Sequence, residues 1–505
     1  MATVIPLTTG AQPEHRDLSF WMDRVLKELE KVRSSPDADA VHDLRVALRR
    51  CRSVAAVMEE VDPHSAWPTM RKMGRKLFRH LGALRDAQVM EEWVKKLAPE
   101  TDPVRAHLQS AFGSSELKMR ERTLRVAGKF DQKSWKRLER ILRKRSRLVP
   151  AGGLAAECLA LERFEKAKEL HARALQTGKP KPWHALRIGL KRFRYTVEML
   201  LPEHYDHWSE NLKRLQDLLG GIHDLDVLGE KVRETESIES EYSSKLWHER
   251  IERERRERME TYRQLTLGKT SLWHAWRSGL PTNGRIEAAA LARLRATARA
   301  LDPHPRRTSQ ISQIALAMFD ALRRAEAAPG FADPSLLRGI LAAARLQAAG
   351  STAAGKSSPK AARKFLLRLA VPPGWSNEEW ELLACAVRYH RGAEPREKSG
   401  PFSKLSADQQ NKVRALAGLL RLARALRKCG VEGGAGIRAE ESAEAIVLRV
   451  PGLMEKTEIA ARLQSGKRLL EVYLQKILSL KPGAKLEKVT ALPTALDPEF
   501  SLASD

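Results

Sequence analysis

From Leu18 to Leu267 apolar side chains recur with a period near that of a helix rather than at every second position, and Leu, Ala, Arg, Glu and Lys dominate. That spacing predicts amphipathic helices built from strong helix formers. Glycine and proline interrupt the pattern at "SPDAD" (35–39), "VDPHSAWP" (61–68), "VPAGG" (149–153) and "QTGKPKP" (176–182), where turns are expected. Residues 229–266, which include "SKLWHERIERERRERMETYRQL", predict one long, highly charged helix. "GKTSLWHAWRSGLPTNGR" then reads as a linker, and helical patterns resume at Ile286. Near the end, "AGIRAEESAEAIVLRV" alternates convincingly and predicts a small β-hairpin, with an irregular tail expected after Lys481.

An internal repeat organises the first half. "VHDLRVALRRCR" (41–52) returns as "WHALRIGLKRFR" (183–194), so His184 follows His42 by 142 positions. Downstream, "HLGALRDAQV" (80–89) returns as "LGGIHDLDV" (219–227), and Gly220 follows Gly82 by 138. Two pairs in the same order at nearly equal spacing predict a duplicated helical unit.

Placed on a helix at about 100° per residue with His42 at zero, Arg45, Arg49 and Arg52 fall near 300°, 340° and 280°. Val41, Leu44, Leu48, Cys51 and Ala55 occupy the adjacent arc between about 180° and 260°. In the second copy His184, Arg187, Lys191 and Arg194 share the cationic arc, and Trp183, Leu186, Leu190, Phe193 and Val197 the apolar one. A cationic stripe bordering the packing face points into a groove between helices. Crowded there, cations lose hydration and repel one another unless counter-charge is supplied. Either Asp43, Asp86, Asp217, Asp224 and Asp226 supply it and the stripe is structural, or an elongated anion threads the groove with guanidinium forks on its oxygens. His42 and His184 suit hydrogen bonding to phosphate, or a place in the core, better than metal ligation. "IHDLD" offers His223 and Asp224 as ligands, but its counterpart is Arg85–Asp86, so the shared residue is the aspartate, which fits orienting the cations or capping a helix.

Composition narrows the partner. The 505 residues allow two or three domains and carry 90 Lys+Arg against 63 Asp+Glu, a net charge of +27. Such an excess favours nucleic acid, polyphosphate or an anionic surface as partner. The four cysteines, Cys51, Cys158, Cys385 and Cys429, form no CxxC or Cys/His cluster, so thiols in a reducing compartment are expected and a structural zinc site is not. The start has no signal-peptide pattern and no apolar run reaches the ~18 residues of a membrane span. A cytoplasmic protein is expected, with no membrane partner.

The paired motifs, "VHDLRVALRRCRS" with "LGALRDAQV" and "WHALRIGLKRFRY" with "LQDLLGGIHDLDVL", resemble the CHAD family, the conserved histidine α-helical domain. The likeness spans residues 13–266, with halves at 13–150 and 151–266. It implies two helical-bundle halves about a pseudo-twofold axis and a basic channel for inorganic polyphosphate. By residue match His42, Arg45, Arg49, Arg52, His184, Arg187, Lys191 and Arg194 would line it, with Arg50 and Arg192 flanking. Association with polyphosphate granules would follow. No accompanying triphosphate-tunnel barrel is evident.

After the linker at 267–285, residues 286–481 resemble the C-terminal helical domain of exopolyphosphatases and guanosine pentaphosphate phosphohydrolases, a relative of HD phosphohydrolases. The segments carrying the likeness are "SQIALAMFDAL", "VPPGWSNEEWELLACAVRYHRGAEP" and "FSKLSADQQNKVRALAGLLRLARALRK". Where that resemblance implies a metal-binding His-Asp pair stand Ala344 and Arg345, a His-rich stretch reads "GKSSPKAARK", and a later Asp is Arg424. A two-metal hydrolase site cannot form from these residues. "RYHRG" and the arginines at 421, 424 and 427 with Lys428 read as a solvated basic face or an accessory polyphosphate contact. The expected fold class is all-α: a duplicated bundle, then a mostly helical HD-like domain with a small hairpin, and a tail at 482–505. The expected function is non-catalytic polyphosphate binding, without cofactor, metal or catalytic residue. A phosphohydrolase, and a nucleic-acid binder despite few aromatics and no recognition motif, are the alternatives.

Overall fold

A computed structural model of the chain describes residues 17–35, 37–235, 241–348, 358–454 and 457–484. The chain divides into two compact units at Ala289/Ala290.

The first unit is helical throughout its described residues. Its first half runs α1 (Leu18–Ser34), α2 (Ala38–Met58), α3 (Ala66–Leu97), α4 (Pro103–Gly128) and α5 (Gln132–Ser146). Its second half runs α6 (Leu154–Thr177), α7 (Pro180–Leu200), α8 (Pro202–Thr235), α9 (Glu241–Thr266) and α10 (Leu272–Ser278). Local chemistry sets the ends. Asp17, Asp37, Asp102 and Asp131 cap α1, α2, α4 and α5 by accepting backbone N–H groups, and Gly178 closes α6 in the left-handed conformation.

The duplication is visible in the packing. α1 pairs with α2 as α6 pairs with α7, and α3 with α4 as α8 with α9. Corresponding helices then meet across the halves, α2 on α7 and α3 on α8. The apolar arcs expected from the sequence are buried in both copies: Leu44, Leu48, Cys51, Ala55, Leu186, Leu190, Phe193 and Val197 all have no exposed surface. In the second copy the helices approach closely, because a Cβ at Gly189 would lie 2.7 Å from Leu170 and 3.6 Å from the Ala167 Cα.

The stretch read as a linker is not an open connection. α10 buries Trp273 and Trp276 against Phe164 and Phe193, the ring centroids 5.6 and 5.7 Å apart. It is the fifth helix of the second half, as α5, with buried Trp135, is of the first. Arg285 continues the attachment by forking onto Glu157 at 2.8 and 2.5 Å.

The boundary falls within α11 (Gly284–Leu301). The second unit then holds α12 (Pro305–Arg324), α13 (Pro334–Leu346), α14 (Pro359–Leu366), α15 (Asn377–Tyr389), α16 (Ala407–Lys428) and α17 (Thr457–Leu474). α16 is central: α12, α13, α15 and α17 all pack on it, and Gly418 admits α17 so closely that a Cβ there would lie 2.8 Å from the Leu470 nitrogen. The expected hairpin forms from β1 (Arg438–Glu441) and β2 (Ala445–Pro451), antiparallel with Ala439 opposite Leu448. A third strand, β3 (Ile477–Gly483), lies parallel to β2 on its other edge with Ile446 opposite Leu478. Pro482 and Gly483, the first residues of the expected irregular tail, pair instead with Val450 and Pro451; residues 485–505 lie outside the described residues. No helix among the described residues is long and apolar enough to cross a membrane.

Candidate functional site

α2 and α7 present their cationic edges to one cleft of about 610 Å³ in the first unit, lined by Arg49, Arg52, Lys191, Arg192, Phe78 and Tyr195, together with Arg71 and Arg163. The two carboxylates lining it, Glu59 and Glu60, are taken by Arg71 and Arg163. Among the described residues Arg49, Arg52, Arg187, Lys191, Arg192 and Arg194 make no ion pair. The Nε atoms of Arg49 and Arg194 and the Tyr195 hydroxyl are buried without a hydrogen-bond partner. Tyr195 is the hub, with Arg49, Arg50, Lys191 and Arg194 all 5.7 to 6.0 Å from its ring centre. Arg52 stacks on Phe78 at 4.5 Å, so the cleft floor combines rings with cations that they attract.

The electrostatic strain is large. Burial first, then Arg187, Arg49 and Arg45, bring the Lys191 ammonium down to about 8. Burial and the neighbouring Arg71 and Arg75 lower Arg52, and burial followed by Arg49 takes Arg50 down to about 10. Burial is the largest cause in each case, and the neighbouring cations add to it.

Beyond Lys191 the two downstream motifs come together. Arg45 donates to the carbonyls of Leu81 at 3.4 Å and Gly82 at 3.1 Å and reaches Asp86 at 3.6 Å. In the second copy Arg187 holds the corresponding place, within electrostatic reach of Lys191, His223 and Asp224. Burial, with Asp86 adding to it, pushes Asp224 up to about 6 against the pull of Arg187. His184 packs on His223, Nδ1 to Nδ1 3.3 Å, and burial with Arg187 and His184 brings His223 down to about 4. At that distance one ring nitrogen donates to the other.

Of the aspartates proposed as counter-charge, Asp86 alone makes an ion pair with a stripe cation among the described residues; Asp43 pairs with Arg24 and Asp226 with Arg255, each at 2.9 Å. The other residues expected at the site are spread. His42 is exposed on α2. Arg50 pairs with Glu198 and lies over Trp21 at 5.3 Å, a packing position rather than a flank of the cleft. Arg194 donates to Gln216 at 3.1 Å and Tyr205 at 3.4 Å. Sequence reasoning missed Tyr195, Phe78, Arg71 and Arg163; of these only Tyr195 carried a signal, as the next residue after the second motif.

In the second unit the positions where the sequence resemblance implies metal ligands do not suit a metal. Ala344 is buried in the core and Arg424 stands beside Arg307 and Arg391. Among the described residues no three His, Cys, Asp or Glu side chains gather as a metal site. The expected basic face is also revised: Arg421 is buried and donates to the carbonyls of Tyr389, Gly392 and Ala393 at 2.7 to 2.9 Å, a structural staple.

Comparison with known proteins agrees with this division. Residues 18–233 match the family model of the CHAD domain, and residues 296–446 match that of the Ppx/GppA phosphatase, domain III. No curated protein matches the chain. Among solved structures, the crystal structure of the CHAD domain from the plant Ricinus communis is similar at 19% identity and a TM-score of 0.36, covering 52% of this chain and 88% of that one. The chain thus joins a CHAD domain to a helical domain of the Ppx/GppA phosphatase domain III type.

Proposed function

We propose that the first unit binds inorganic polyphosphate in the cleft between α2 and α7, without hydrolysing it. The observation that carries this reading is the set of cations sharing that cleft, Arg49, Arg52, Lys191 and Arg192, with no carboxylate paired to any of them among the described residues. A linear phosphate polymer supplies one negative charge per unit at a spacing that successive guanidinium forks can follow. The free Tyr195 hydroxyl donates to an oxygen of the same chain. Both families named above are consistent with a polyphosphate-related role, and among the described residues no three His, Cys, Asp or Glu side chains gather as a metal site. Granule association in the cell is the corresponding localisation.

The test is a titration of long-chain polyphosphate against the full chain and an Arg45→Ala/Arg49→Ala/Arg187→Ala/Arg194→Ala variant, with duplex DNA as competitor and circular dichroism as the folding control. Loss of binding in the folded variant, with weak competition by DNA, supports the reading. Unchanged binding would leave only the net charge to attract anions. Divalent-metal-dependent phosphate release by the purified wild type would favour the phosphohydrolase instead.

A further inference from the structure

The second unit contains a cavity of about 390 Å³ whose walls include Arg307, Arg391, Arg424, Asp302, Gln347 and Thr308. Arg307 belongs to the first turn of α12, Arg424 to α16, and Arg391 follows α15, so three separate segments converge. α12 opens there with no acidic residue in its first turn and no side-chain cap, which leaves its positive dipole end facing the same space. Neither the Arg307 nor the Arg424 side chain makes a hydrogen bond or ion pair among the described residues. Their neighbours on α16 are engaged: Arg421 with three carbonyls and Arg427 with Gln310 at 3.0 Å. Burial, then Arg307, Arg391 and Arg427, bring Arg424 down to about 10.

The cavity also offers acceptors. Gln347, only 4% exposed, is fixed by donation from Nε2 to the Ala344 carbonyl at 2.8 Å, and its Oε1 is buried with no donor. Asp302 accepts the His304 N–H at 2.8 Å and makes no ion pair with Arg307 or Arg424 among the described residues. Guanidinium donors beside an unsatisfied carbonyl and a carboxylate select an oxyanion that still carries a proton. Sulfate has no proton to donate to those acceptors, and the internal groups of a phosphate polymer have none at neutral pH. A hydrogen phosphate group has both oxygens to accept and one hydroxyl to give.

We propose that this cavity is a second, separate anion site that binds a hydrogen phosphate group, either free orthophosphate or the terminal phosphoryl group of a longer phosphate compound. Arg307, Arg391 and Arg424 hold its oxygens, and its one hydroxyl donates to Gln347 Oε1, with Asp302 on the same wall. Arg424 is the residue that stands where the sequence resemblance implies an acidic ligand. It stands whether or not the first unit binds polyphosphate.

The test maps arginine reactivity toward phenylglyoxal in the full chain, residue by residue by mass spectrometry, at constant ionic strength. Orthophosphate should slow modification of Arg307 and Arg424 together by about fivefold or more and equimolar sulfate by less, the difference measuring the unpaired acceptors. Exposed Arg306 serves as the internal control and should not respond. Gln347→Met should erase the preference for phosphate over sulfate while the arginines remain. Tripolyphosphate and long-chain polyphosphate compared at equal concentrations of chain ends distinguish the sources: equal protection identifies a terminal group, and protection by orthophosphate alone identifies the free ion. Equal protection by sulfate and phosphate, or none by either, would overturn the proposal.

Discussion

Arg45 donates to the Gly82 carbonyl at 3.1 Å, and a Cβ added at residue 82 would lie 3.7 Å from that same guanidinium nitrogen. The first copy of each repeated motif is thus joined by a helix-to-helix hydrogen bond, and the glycine sets the room available to the arginine. Since 3.7 Å is an ordinary contact, Gly82→Ala should fold normally and gain up to about 1 kcal/mol from helix propensity. Gly82→Leu should displace Arg45 and weaken polyphosphate binding. Thermal melts beside a binding titration of both variants check this; equal binding by Gly82→Leu and wild type would remove Arg45 from the account.

Lys191 is the residue at which stability and binding should diverge. A charged ammonium crowded by Arg187, Arg49 and Arg45 opposes folding. Lys191→Met should therefore stabilise the unit by about 1–3 kcal/mol while weakening polyphosphate binding. Because the folded-state value of about 8 lies below the ordinary 10.5, the unfolded chain holds more protons between those limits, and wild-type stability should rise with pH across that window through this group. Binding should fall over the same rise from about pH 8 as the charge is lost, and Lys191→Arg should flatten that fall. Calorimetry of the three proteins at several pH values decides.

Asp224 works in the opposite sense. With its carboxyl raised to about 6 in the folded unit, the folded state holds the extra proton between the ordinary 3.8 and 6, so stability through this group is highest below 3.8 and falls as pH rises to 6. Its ionisation also places a negative charge beside Arg187. Polyphosphate affinity should drop between about pH 5 and 7, and Asp224→Asn should remove that step and bind more tightly at neutral pH. An unchanged pH profile in the variant would show that Asp224 does not sense the bound anion.

The paired helices were legible because periodicity and burial coincide: Leu44, Leu48, Leu186 and Leu190 fall where the helical arcs put them. The same arcs place Arg45, Arg49 and Arg52 on one side but cannot say which neighbour each meets. Arg52 finds Phe78 on α3, and Arg50 finds Glu198 on α7, partners far away in sequence. The fifth helix of the second half was hidden because α10 is short, is flanked by Gly and Pro, and is held by two tryptophans rather than a periodic stripe. β3 was hidden for a related reason, since its pairing with β2 is parallel and crosses the whole of α17. In the second unit the sequence puts Ala344, Arg345 and Arg424 where the resemblance implies metal ligands; only the fold brings Arg307 and Arg391 to Arg424.

Arg50 distinguishes a packing cation from a binding one. It pairs with Glu198, both side chains 12% exposed, and lies over the rings of Trp21 and Tyr195. Arg50→Ala leaves the Glu198 carboxylate buried without its partner and should cost about 3–5 kcal/mol. Arg50→Ala/Glu198→Ala should recover part of that loss, and the double variant should bind polyphosphate nearly as well as wild type. Chemical denaturation of the two variants and the wild type measures the coupling, and additive losses would contradict it.

The central claim is that α2 and α7 form one groove that engages several phosphate units at once, and a chain-length series tests it most directly. Orthophosphate, tripolyphosphate and polyphosphates of increasing length are titrated against the full chain at equal total phosphate and fixed salt. The account predicts that affinity per phosphate climbs with length until the groove is filled and then levels off, and that an Arg49→Ala/Lys191→Ala variant loses most of the climb. Equal affinity per phosphate at every length, or a climb unaltered in that variant, would contradict it.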